Sequence, residues 1–92
     1  MALTAEFQAE WKEAMEWWHG RWDTDPQMFH YIRNTANARL QEDWPVGQGI
    51  SSSDTNHAVY HMYQDYKRVK DMDEYKGKSL LIFLRDYTNG TV

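Results

Sequence analysis

The stretch KSLLIFLRDYTNG, Lys78 to Gly90, holds five consecutive apolar residues, Leu80 to Leu84, and its reading sets the fold class of the whole chain. A run this short satisfies a buried strand and a buried helix equally well. Local chemistry decides for the helix. Ser79 can cap it, and Leu80, Phe83, Leu84 and Tyr87 fall on one face when about 100° is taken per residue. Asn89-Gly90 then supplies a left-handed terminus. A strand would find no second strand to pair with anywhere in the chain. The expected fold is therefore all-α: a small bundle of about four helices over residues 4–19, 26–42, 54–72 and 78–88, with a long 43–53 loop, in a single domain 1–92.

Upstream, TAEFQAEWKEAMEWWH (4–19) reads as an amphipathic helix capped by Thr4. Phe7, Trp11, Ala14, Met15 and Trp18 form its stripe, while Glu6, Glu10, Glu13 and Glu16 lie away from it. Gly20 is expected to end this helix with a positive φ. Were the helix to run on, Trp22 would join the stripe. In DTDPQMF, Thr24 or Asp25 can cap a second helix with Pro26 in its first turn. Its stripe is Phe29, Ile32, Ala36 and Leu40, flanked by Arg33 and Arg39, with Tyr31, Asn34 and Asn37 facing away.

The run DWPVGQGISSSD contains Pro45, two glycines and three serines, and reads as a loop pinned by Trp44 and Ile50. Ser53 or Asp54 would cap the third helix. Its core stripe is Val59, Met62, Tyr63, Tyr66 and Val69, with His57, His61, Gln64 and Arg68 opposite and Tyr60 off the main face.

Composition narrows the function classes. The chain has 92 residues, a net charge of −4, no cysteine and 15% aromatic residues, including five Trp and six Tyr. Rings of that number let a short chain build a core without disulfides or a metal. The lack of cysteine removes thiolate sites and thiol nucleophiles, and suits a reducing compartment. No apolar run reaches the roughly 20 residues of a membrane span, and MALTAEFQAEW lacks a signal-peptide pattern. A cytoplasmic location is expected. The acidic balance opposes phosphate binding, which depends on clustered Lys and Arg, so nucleic acid is not the expected ligand.

Catalytic and metal patterns are sparse. His57 and His61, four apart and flanked by Asp54 and Asp65, have the spacing of a two-histidine metal site but lack the glutamate of a metalloprotease helix. Gly77-Lys78-Ser79 resembles the end of a phosphate-binding loop, yet Met72 stands where the first glycine belongs. The threefold spacing of Glu10, Glu13 and Glu16 resembles the acidic motif of the all-α nucleotide pyrophosphatases. That resemblance implies Mg²⁺ held by acids from two neighbouring helices. The stretch from Gln27 to Gln41, where the second motif would fall, contains no acid.

With no nucleophile, base and oxyanion set assembled by local spacing, the expected function is recognition without catalysis and without a cofactor. Trp17, Tyr31 and Tyr60 lie off their helices' apolar faces, and Trp22 and Trp44 lie at helix ends. Together they make a candidate Trp/Tyr surface for a protein partner or a second copy of the chain, with the glutamates of the first helix as an acidic rim. Short acidic chains of this kind resemble phage or mobile-element accessory proteins that inhibit a host factor. Two alternatives stay open: a mimic whose glutamate row imitates nucleic-acid phosphates, and a nucleotide binder or Mg²⁺-dependent hydrolase using Glu10 and Glu13.

Overall fold

The computed structural model describes residues 4–92. Its helices are α1 (Ala5–His19), α2 (Arg21–Thr24), α3 (Pro26–Gln41), α4 (Ser52–Val69) and α5 (Leu80–Thr88), and no strand occurs among the described residues. The all-α expectation holds, with the ambiguous Leu80–Leu84 run helical. Ser79 Oγ accepts from the Leu81 amide at 3.2 Å. Gly90 ends the last helix at φ +76°, a conformation that a side chain would oppose.

Helices α3 and α4 pack on each other at the centre, α1 lies against α4, and α5 lies against α3. Ile32, Val59, Met62 and Phe83 are fully buried between them. Trp18, Ala36, Val69, Leu84 and Tyr87 complete the core. These are the stripes read from periodicity, and each large side chain so buried contributes about 1.5–3 kcal/mol.

Polar ties fix the helix pairs. Thr55, buried on α4, donates to Asn37 Oδ1 on α3 at 2.8 Å. Asn37 therefore faces a neighbour rather than solvent, correcting the expectation from helical phase. Arg39 Nη1 donates to the Tyr87 carbonyl at 2.9 Å, and its guanidinium lies 4.5 Å from the centre of the Tyr87 ring. A flanking charge thus becomes a clasp between α3 and α5.

The first helix ends at His19 as expected, but three local features differ from the sequence reading. Gly20 has φ −61°, a right-handed conformation, and the chain continues into the single turn of α2. Glycine is needed there for close approach: a Cβ would lie 2.9 Å from the Glu16 carbonyl oxygen. The third long helix begins at Ser52 because Ser51 forms a reciprocal capping box with Asp54. Asp54 is therefore the third helical residue instead of the cap. That helix stops at Val69, short of Met72, where the Met72 amide turns back to the Val69 carbonyl. The loop is pinned as expected, with Trp44 and Ile50 half-buried and the Trp44 indole donating to the Gly49 carbonyl at 3.3 Å.

Candidate functional site

The break at Asp25 (φ −154°, ψ 74°) separates α2 from α3 and places Trp22 beside the first turns of α3. Asp25 caps α3 by accepting from the Met28 amide at 3.2 Å, and Pro26 sits in the first turn, so the chain reverses within a few residues. Phe29 is the hinge of the packing. One side of its ring stacks on buried Trp18 at 4.8 Å and 6°, while Trp22 meets it edge-on at 5.2 Å and 71°. The Trp18 indole also donates to the Phe29 carbonyl at 3.1 Å. A continuous line of ring contacts thus runs from the core to the surface.

Trp22 stands at the outer end of that stack and is 55% exposed. Around it His19, Phe29, His30 and Arg33 line an open concavity of about 480 Å³. His30 packs against Trp22 at 5.6 Å and 78°, and His19 against Trp18 at 4.6 Å. None of the five lining residues is acidic. Arg33 makes no ion pair among the described residues. Periodicity missed His19, His30 and Arg33 as site residues because they come together only across the break at Asp25 between α2 and α3.

The other expected surface rings divide. Tyr31, 40% exposed, lies on the flank of α3 that faces α5. It shares a shallow groove with Leu81 and Arg85, and its hydroxyl accepts from Gln27 at 2.9 Å. It therefore does not join Trp22 in one patch. Trp44 is committed to the loop. Trp17 is half-buried, stacked on Tyr66 at 5.7 Å and tilted on Tyr63 at 4.9 Å, with the Arg21 guanidinium 5.3 Å from its ring centre. Tyr60 is buried, between Phe7 and Trp11. Both were read as pointing away from the core, and both instead fill the seam between α1 and α4. The α1–α4 contact is wider than either apolar stripe alone, so rings at its edges are covered by the opposing helix.

The acidic row is partly engaged as well. Glu10 accepts from the Tyr60 hydroxyl at 3.2 Å, and Glu13 pairs with Lys67 at 2.7 Å. The Lys67 hydrogen bond holds the Glu13 carboxyl below its ordinary range and raises the Lys67 ammonium. Burial, then the hydrogen bond to Glu10, pushes the Tyr60 phenol up. Glu16 makes a long, exposed contact with Lys12 at 3.8 Å, and Glu6 stands in the first turn of α1.

The histidine and aspartate group does not assemble. Among the described residues no three His, Asp or Glu side chains gather where they could hold a metal. Asp54 is held by Ser51 at 3.0 and 2.8 Å, which lowers its carboxyl, and Asp65 contacts Arg68 at 3.4 Å. The His57 ring meets Trp11 at 4.9 Å, and the His61 ring lies edge-on to Tyr60. Comparison with protein-family models, curated proteins and solved structures returned no match.

Proposed function

We propose that the protein is a non-catalytic recognition module that engages a protein partner through the concavity centred on Trp22. The observation that carries this reading is a half-exposed indole held at the surface by a stack of rings rooted in the core. Trp and Arg dominate binding hot spots because they bring large contact area and fixed donors at small entropic cost. The setting is cytoplasmic, in keeping with a cysteine-free chain, and the role is that of an accessory protein occupying a surface of its target. Three of the four glutamates on α1 already have partners within the fold, Glu16 by a long exposed contact. That favours recognition through Trp22 over phosphate mimicry or a Mg²⁺ site built on the same row.

Affinity capture with the wild-type chain and a Trp22→Ala variant tests the reading. A protein retained by the wild type and lost from the variant, with the variant's melting temperature nearly unchanged, is the expected result. Equal retention by both would refute the assignment. Light scattering on the same pair detects a partner that is a second copy of the chain.

A further inference from the structure

We propose that the Trp22 concavity recognises an acidic segment of its protein partner, in which an aspartate or glutamate adjoins an apolar anchor. The inference rests on the recognition reading above and deepens it. Its basis is the set of hydrogen-bond donors that the fold leaves uncommitted at this place. Trp18 and Trp44 direct their indole N–H groups to backbone carbonyls, whereas the Trp22 indole N–H has no acceptor among the described residues. The ring nitrogens of His19 and His30 also have no hydrogen-bond partner there; their contacts are with rings. The Arg33 guanidinium is exposed and makes no ion pair.

Four donor-bearing side chains therefore surround an apolar floor formed by Phe29, and the lining contains no carboxylate to satisfy them. The nearby acids do not fill that role. Asp25 caps α3, and Asp23 lies on α2 outside the lining. The complementary group is an acceptor-rich anion carried next to an apolar surface. A carboxylate matches the planar fork of arginine, and charge-assisted bonds of this kind are about twice as strong as neutral ones. The lining carries the formal positive charge of Arg33 and no negative one, in a chain of net charge −4, and that local sign favours an acidic segment at this place.

The openness of the concavity argues for a protein segment. Small-molecule sites commonly enclose 70–90% of their ligand. A shallow dish cannot do this, but it can seat one side chain of a larger surface whose other residues close over it.

The test is selection from a random twelve-residue peptide library on the immobilised protein, with Trp22→Ala as counter-selection. The expected consensus is an aromatic or aliphatic residue with Asp or Glu within two positions. The consensus peptide is then compared with its Asn/Gln isostere against wild type and Arg33→Gln. The acidic peptide should bind wild type on the order of tenfold more tightly, and Arg33→Gln should remove that advantage while leaving the isostere's affinity unchanged. Peptides that depend on Trp22 but show no acidic consensus, or equal affinity for acid and amide forms, would overturn acid recognition and leave the recognition surface standing. A selection that never separates wild type from Trp22→Ala would overturn both.

Discussion

Replacing Trp17 by alanine asks whether its indole is structure or surface. In the fold its ring lies 4.9 Å from the Tyr63 ring and 5.7 Å from the Tyr66 ring, with Arg21 above it at 5.3 Å. Each aromatic pair is worth about 0.5–1.5 kcal/mol beyond the area it buries, and an exposed cation–π contact about 0.5–1 kcal/mol. A fully buried Trp→Ala change costs about 3–5 kcal/mol; for a half-buried indole with these neighbours the expected loss is about 3 kcal/mol. In a domain of this length 1 kcal/mol moves the melting temperature by roughly 4–8 °C, so Trp17→Ala should melt about 12–24 °C lower. Trp22→Ala, which loses two edge contacts on an exposed ring, should fall by no more than about 1 kcal/mol. Circular dichroism melts of the two variants make the comparison. A cycle combining Trp17→Ala with Tyr63→Leu should show coupling of about 1 kcal/mol. If Trp17→Ala melts within a few degrees of wild type, the ring is not part of the α1–α4 seam and the packing argument fails.

Gln64 is half-buried with its side-chain amide nitrogen enclosed and unpartnered, so Gln64→Met should raise stability by about 1 kcal/mol in chemical denaturation; a loss would mean that the amide is satisfied. Ser51→Ala removes the bond that Ser51 Oγ accepts from the Asp54 amide and the one it donates to Asp54 Oδ2, leaving the Ser51 amide bonded to that carboxylate, and should cost about 1 kcal/mol, with amide exchange quickened first in the opening turn of α4. Alkali should unfold the protein together with phenol ionisation. Burial raises Tyr60, Tyr63 and Tyr87, and the bond to Asp86 raises Tyr75. Their stabilisation is complete below about pH 10 and is lost as pH rises through the higher folded values. Tyrosinate absorbance should therefore climb as helicity falls; ionisation of these phenols at the ordinary value with helicity intact would contradict it.

What the sequence disclosed depended on whether the cause was local. Caps at Thr4, Asp25 and Ser79 and the left-handed Gly90 follow from side-chain chemistry within three residues, and they stand where expected. The apolar stripes follow from helical phase, so Ile32, Ala36, Val59 and Met62 were legible as core. Tyr60, Trp17 and Asn37 were not, because a neighbouring helix covers each of them and phase within one helix cannot see its neighbour. Gly20 misled for a related reason: its usual role at helix ends is a positive φ, whereas here the Glu16 carbonyl approaches too closely for any Cβ. Of the five rings chosen for a partner surface, Trp22 and Tyr31 are exposed, and they sit on opposite flanks of α3. The basic groups around Trp22 lay hidden in the sequence because ten residues lie between His19 and His30.

The stacking of Phe29 on Trp18 has a consequence for how recognition would be felt inside the molecule. A side chain that captures another usually loses rotamer freedom, at about 0.5–1.5 kcal/mol for each group immobilised. Trp22 is already leaned upon by Phe29 and His30, so much of that ordering is complete before any encounter. Contact at the rim lies one ring away from the packed interior. Occupancy would therefore be transmitted inward as tighter packing, and slower opening of the α1–α3 junction would register the bound state without any change of shape.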